Sequence, residues 1–415
     1  MSTYSIAIII FLSVCVCILA TILWFRIKKP PIRVGILHSL TGTMAFSAAS
    51  VADATLMAID EINESGGILG RKIKPIIADG RSDPNHFIEM AEKLITKDKV
   101  CVVFGCWSSA NRKAIKPVFE KYNHLLIYPI QYEGLEDSPN IIYTGATPNQ
   151  QIIPAIKWSF DHIGKRFFLV GSDYVFSRAA NEIIKDQIKA LGGKILGEAY
   201  IPLGNDTVNH IVDNIQQTKP DMIVNTINGD SNIHFFKRLR MQGISPSVIP
   251  SISFSLGENE LCTLSYSQMA GDYAAWNYFQ NIPNKVNQNF VENYKNKYGQ
   301  DRVTDDPIES GYIGVFLWAQ AVKTASTTNV NTVREAMRNQ YYFAPEGTVY
   351  IDAENNHTWK VARIGKIRQD GQFDVVWRSD KAIKPLPYPD YRTKEEWEML
   401  LDQLYKEWGN HWVKQ

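Results

Sequence analysis

Residues 101–134 read CVVFGCWSSANRKAIKPVFEKYNHLLIYPIQYEG. Val102 to Phe104 and Leu125 to Ile127 are apolar at consecutive positions, the pattern of strands buried on both faces of a parallel sheet. Arg112 to Tyr122 carries a helical pattern between them, so the stretch predicts a βαβ unit. In open parallel sheets, ligands sit beyond the carboxyl ends of the strands. Those ends hold Gly105, Trp107, Ser108 and Ser109 after the first strand, and Tyr128, Gln131 and Tyr132 after the second. The two clusters are expected to face one cleft. Ser and Gln both donate and accept, and Tyr and Trp give flat walls with one polar handle each, which suits a small, neutral, planar, polar ligand. Singly, each aromatic reads as core; clustered at two strand ends, they read as a pocket. Phosphate binding calls for glycine-rich turns with Lys or Arg, whereas Arg112 and Lys113 here belong to the helix that follows.

Outward from this unit the same rhythm continues. The chain has 415 residues, 45% of them hydrophobic and 21% charged, with a formal net charge of +1. That is enough for two globular domains, without the basic excess that nucleic-acid binding needs. Ile32 to Leu37 and Ile73 to Ala78 read as strands, and Val51, Ala54, Ala58 and Ile62 form a helical stripe stopped by Gly66 and Gly67. Met90, Ala91, Leu94 and Ile95 mark a further helix. Phe167 to Val170, a helix around Glu182 to Leu191, Ile195 to Tyr200 and Met222 to Asn225 repeat the alternation. Two sets of βα units predict two α/β lobes, each a doubly wound parallel sheet flanked by helices. Arg363 to Arg368 and Phe373 to Trp377 flank the Asp370–Gly371 turn pair of a β-hairpin. Beyond the proline-rich stretch 384–391, Trp397, Leu400, Leu401, Leu404 and Trp408 recur at helical spacing. They predict a terminal helix that packs back on a lobe or, alternatively, receives a partner.

Several motifs carry a resemblance: GILHSLTGTMA (35–45), GCWSSANRK (105–113), YPIQYEG (128–134), SPNIIYTGATPNQQ (138–151), GSDYVF (171–176), NTINGDSN (225–232) and AAWNYF (274–279). In these the chain resembles the urea and short-chain amide binding proteins of ABC transporters, and their relative, the cytoplasmic amide sensor of an amidase operon. The likeness runs from about Ile32 to about Tyr388. It implies a type I periplasmic-binding-protein fold, with two lobes joined by a three-strand hinge and closing on the ligand. The expected division is 32–149 with 276–340 as one lobe, 150–275 with 341–383 as the other, and 384–415 as a C-terminal segment. The implied function is binding of urea, acetamide or formamide for delivery to an ABC permease; a tethered amide sensor acting on a signalling or transcriptional partner is the alternative.

The resemblance also implies the contacts. Trp107 and Ser109 match its first strand-end motif, Tyr128 and Gln131 the second, and Asp173 and Tyr174 the opposing lobe. Ser109 is expected to bond the ligand carbonyl, Asp173 to accept amide protons, and the aromatics to stack on the ligand plane and exclude water. Asn228, Asp230, Ser255 and Glu258 are further candidates, each equally readable as loop capping. VFSR (175–178) departs from the tyrosine–proline pair of the family. An enzyme is the rival class, with His38 its best-placed group. No metalloprotease, nucleophile-elbow or paired-carboxylate motif surrounds His38, and HSLTGTM reads as a Ser/Thr turn capping a helix. No cofactor or metal is expected.

Ile6 to Phe25 is a run of twenty uncharged residues, long enough to span a hydrocarbon core of roughly 30 Å. A basic leader and a small-residue cleavage site are missing, and valine precedes Cys15 where a lipoprotein site needs a small residue, so the run is expected to be an uncleaved anchor. Arg26, Lys28, Lys29 and Arg33 follow it and would hold the domain inside; the family resemblance places it outside, the orientation adopted here. Of the five cysteines, Cys101 and Cys106 lie at opposite ends of one strand, too far apart to pair, and no zinc-ligand spacing occurs.

Overall fold

The computed structural model describes residues 13–17 and 29–414. A first sheet comprises β1 (Ile32–His38), β2 (Ile73–Asp79), β3 (Val103–Gly105), β4 (Leu126–Tyr128) and β5 (Ile141–Tyr143), in the order β2-β1-β3-β4-β5. All of its neighbours pair in parallel. Helix Ala45–Glu64 buries Val51, Ala54, Ala58 and Ile62 against this sheet's core. The chain then reverses at Gly67, whose φ is +83° and where a Cβ would fall 2.1 Å from Arg71 O, so only glycine fits.

The second sheet begins with β6 (Arg166–Ser172), β7 (Lys194–Ile201), β8 (Met222–Thr226), β9 (Ser251–Ser253) and β10 (Tyr273–Trp276), which pair in parallel. After β11 (Tyr341–Ala344), β12 (Gly347–Ile351) and β13 (Thr358–Trp359) form a small sheet of their own, β14 (Arg363–Ile367) and β15 (Phe373–Arg378) add an antiparallel hairpin to β10. The expected turn is there, with Gly371 at φ +76°.

The chain passes between the sheets three times: between β5 and β6, between β10 and helix Asp306–Ala325, and between β13 and β14. One side chain joins all three passages. Asn277 Nδ2 donates to Gln150 O at 3.1 Å and to Val361 O at 3.0 Å. Arg363 donates to Asn277 O and, at 2.8 Å, to Glu346 O.

Three expectations change. Residues 341–351 do not join the second lobe: Ala344, Val349 and Ile351 are buried in the first core with Trp318, Val333 and Met337. The hairpin β11–β12 covers the outer side of helix Asp306–Ala325, and the second sheet takes its antiparallel edge from β14 and β15 instead. HSLTGTM does not cap its helix through a hydroxyl, since Met44 is the cap residue and makes no side-chain bond. Thr41 Oγ1 instead donates to Asp79 Oδ2 at 2.7 Å, so the turn is tied to the end of β2. Helix Ser109–Lys121 starts three residues before the expected Arg112, because Ser108 Oγ accepts from Asn111 N at 3.2 Å and caps it there.

The terminal helix, Lys394–Glu407, packs back as expected, with Trp397 fully buried and Leu401 beside it in the second core. The expected span Ile6 to Phe25 lies outside the described residues except for 13–17, which are helical. Among the described residues no helix is long and apolar enough to cross a membrane.

Candidate functional site

The parallel strands of both sheets turn their carboxyl ends toward one another, and His38, Trp107, Gln131, Tyr174 and Asn228 lie at those ends. Leu37 pairs with Gly105, and Cys106 N donates to Leu37 O at 2.8 Å, so His38 and Trp107 leave adjacent strands side by side. Tyr128 OH donates to Trp107 O at 3.1 Å, fixing the loop after β3 to the end of β4. From the second lobe, Tyr174 OH donates to Asn228 Oδ1 at 2.6 Å. Asn228 N donates to Ser172 Oγ at 3.0 Å, and Ser255 Oγ to Ile227 O.

The lobes are closed on each other. Gln131 Nε2 donates across the cleft to Phe254 O at 3.0 Å, and Ser47 Oγ to Glu260 Oε1 at 2.6 Å. A Cβ on Gly229 would touch Thr43 O at 3.3 Å, so the loop after β8 rests directly on the turn after β1. His38, Trp107, Gln131, Tyr174, Asn228, Ser255 and Glu258 are all buried as a result.

Buried polar atoms normally find partners. Several here have none among the described residues: both ring nitrogens of His38, Trp107 Nε1, Gln131 Oε1, Gln151 Oε1 and Glu258 Oε2. Trp107 is a pure donor and the two glutamine oxygens are acceptors, so the set is mixed and uncharged. Burial pulls His38 down to about 3, which keeps its imidazole neutral, and pushes Glu258 up to about 8, which keeps its carboxyl protonated.

The nearby cations are already used. Arg112 donates to Glu136 Oε1 at 2.9 Å and to Glu133 Oε1 at 3.0 Å, and Lys113 to Glu136 Oε2 at 3.1 Å, all buried. Burial alone would raise Glu136, but the charges of Arg112 and Lys113 outweigh it and hold the carboxyl well below its usual range.

Two predicted contacts are engaged elsewhere. Ser109 Oγ donates to Glu133 and accepts from Arg112 Nη1 at 3.1 Å. The Asp173 carboxylate accepts from Arg178 Nε at 2.8 Å and faces Lys414 Nζ at 3.4 Å, so the family departure at VFSR supplies its partner. Asp230 is exposed. Glu258 sits toward the hinge, where its Oε1 accepts from Gln280 N at 2.7 Å. Gln151 escapes the sequence reading although it closes the SPNIIYTGATPNQQ motif. Its Nε2 donates to Ala275 O at 2.7 Å, which binds the first passage to the second lobe and leaves Oε1 free. The doubled glutamine after Pro148 was its only signal.

A family model, "Periplasmic binding protein domain", matches residues 32–394. A Leu/Ile/Val-binding protein of Rhizobium johnstonii is 24% identical over 214 residues, covering 50% of this chain and 57% of that one. A limonene hydroxylase of Geobacillus stearothermophilus is 32% identical, but only over 118 residues, 28% of this chain and 22% of that one. The chain thus spans between about a fifth and three fifths of the length of these two relatives. Among solved structures, a solute-binding protein of an ABC transporter from Rhodopseudomonas palustris, in complex with 3,4-dihydroxybenzoic acid, superposes with a TM-score of 0.77 at 23% identity, covering 86% of this chain and 99% of that one. At that identity the likeness is one of fold.

Proposed function

We propose, from the premise that the chain belongs to the family of periplasmic binding proteins, that it binds a small neutral amide, such as urea, acetamide or formamide, between its lobes and hands it to an ABC permease. The family consists of solute binders, and this chain is one of them, not an enzyme. One observation carries the ligand assignment: the buried cleft holds unpartnered donors and acceptors of both kinds, while Arg112 and Lys113 are already neutralised by Glu133 and Glu136. An amide offers N–H groups to Gln131 and Gln151 and a carbonyl to Trp107 Nε1. A carboxylate ligand, such as an amino acid or a benzoate, would find no free side-chain cation among these residues. Trp107, Tyr128 and Tyr174 supply the flat apolar walls that such a ligand needs. Ser109 and Asp173 act behind this surface by holding the strand-end loops in place. The same reading places the domain outside the cytoplasmic membrane, tethered by Ile6 to Phe25.

Titration calorimetry of the purified protein tests the assignment, with urea, acetamide and formamide set against leucine, isoleucine and 3,4-dihydroxybenzoate. Urea has four non-hydrogen atoms, so a ceiling of about 1.5 kcal/mol per atom limits binding to roughly 6 kcal/mol, or tens of micromolar. At least one amide is expected to bind near that level and to lose binding in Trp107→Ala. Tight binding of leucine or of the benzoate, with silence toward all amides, would overturn the assignment.

A further inference from the structure

We propose that residues 410–414 form a latch that crosses from one lobe to the other and holds the cleft shut. This rests on the closed two-lobe geometry and not on the identity of the ligand. Helix Lys394–Glu407 is seated on the second lobe through Trp397 in its core and through Arg392, which donates to Asp186 Oδ2 at 2.6 Å and to Glu182 Oε2 at 2.7 Å. Two consecutive residues with positive φ, Gly409 at +67° and Asn410 at +65°, then reverse the chain. Asn410 N donates to Tyr405 O at 2.8 Å and secures the reversal. The returning strand pairs with the loop that carries Tyr174: Val175 N donates to Trp412 O at 3.0 Å, and Lys414 N to Asp173 O at 3.2 Å. Lys414 Nζ also faces the Asp173 carboxylate at 3.4 Å.

The other side of the same segment touches the first lobe. Lys113 Nζ lies 5.0 Å from the centre of the Trp412 ring, within range of a cation–π contact. Ahead of the latch, the helix and the loop before it add Lys394 to Asp137 at 3.1 Å and Leu135 N to Pro387 O at 2.8 Å. Opening the cleft must pull Lys113 away from a segment that is bonded to the opposite lobe. The latch is also wired to the site, because Lys113 shares Glu136 with Arg112, and Arg112 holds Ser109. A 400 Å³ groove between helix Lys394–Glu407 and helix Ser109–Lys121, lined by Lys116, Glu120, Tyr405 and Trp412, gives the segment room to swing out.

Hydrogen exchange on the full-length protein without any ligand tests the latch, so that failure of the amide assignment leaves the measurement intact. The reporters are the amides of residues 106–112 and 226–228, which are buried in the closed form. Trp412→Ala keeps the backbone pairing with Val175 and is expected to speed exchange there about threefold. Ending the chain at Gly409 removes both sides of the latch and should speed it roughly tenfold. Residues 55–64, the part of helix Ala45–Glu64 beyond its cross-cleft bonds at Ser47 and Ser50, are the internal reference. Faster exchange at the cleft with the reference unchanged supports the latch. Unchanged exchange at the cleft in both variants, or a rise shared equally by the reference helix, would overturn it.

Discussion

Glu258 shows how burial sets the chemistry of a single residue. Its carboxyl is fully enclosed, accepts one backbone N–H from Gln280, and has Glu260 and Asp306 as acidic neighbours. Burial first, and those like charges second, push it from 4.5 up to about 8. A folded value above the unfolded one means that the folded protein holds the proton more tightly. The stabilising contribution is therefore complete below about pH 4.5 and is lost as pH rises to about 8. Glu258→Gln keeps the shape and removes the titration, so the fall in urea-unfolding free energy between pH 5 and pH 8.5 should shrink by roughly 2 to 4 kcal/mol. An unchanged slope would mean that this carboxyl is ionised in the folded state.

Position and partner differ in how legible they are at this scale. Trp107 and Gln131 are readable as cleft residues because each lies beyond an apolar run, and a buried strand must end at the sheet's carboxyl edge, whereas Tyr174 is read from the family resemblance and Asn228 from its place at a strand end. That Ser109 and Asp173 spend their oxygens on Arg112 and Arg178 is not readable. Arg112 and Arg178 lie within about a turn of them in sequence, but Glu133 and Lys414, which complete the two clusters, come from 24 and 241 residues away, and no separation of that size gives a distance.

At the scale of the element, helix Ser109–Lys121 does more than connect two strands. Its first turn faces the cleft, and its buried side carries Arg112 over the rings of Tyr128 and Tyr132, at 4.8 Å and 4.3 Å. Tyr132, Tyr143 and His357 stack behind it, with Tyr143 and His357 only 4.1 Å apart. Removing one partner from a buried ion network strands the others, at a cost of about 3 to 5 kcal/mol. Arg112→Met should lower stability by about that amount in urea unfolding. Adding Glu133→Gln should recover part of the loss, because Lys113 still pairs with Glu136 and Glu133 is the charge left unmatched. A loss below about 1 kcal/mol in the single variant would show that water reaches the site and screens it. The helix itself was legible from its apolar spacing. Its early start was not, because hydroxyl capping by Ser108 competes with the ligand role that the same Ser-Ser pair suggests. The lobe to which residues 341–351 belong was not legible either, because a half-buried hairpin does not show in its sequence which core will cover it.

For the whole molecule, the decisive question is how two lobes with separate cores behave as one body. Strand–helix alternation makes both lobes legible, since each βα unit must bury its apolar faces locally. The joint between them is not, because it depends on one asparagine whose partners lie more than eighty residues away in either direction. Asn277 is fully buried, and its amide holds the carbonyls of Gln150 and Val361, one from each of the other two passages. Asn277→Leu keeps similar bulk but takes the side-chain donor from the buried Gln150 O and leaves Val361 O with Arg363 Nη1 at 3.3 Å alone, at roughly 1 to 3 kcal/mol. Because the loss falls on the joint and not on either core, the lobes should lose coupling before they lose structure. Unfolding in urea, followed separately by tryptophan fluorescence and by far-ultraviolet circular dichroism, is then expected to split into two transitions where the parent protein shows one. Coincident transitions at the parent midpoint would mean that the cross-cleft bonds of Gln131 and Ser47, and the C-terminal segment, hold the lobes together without the joint.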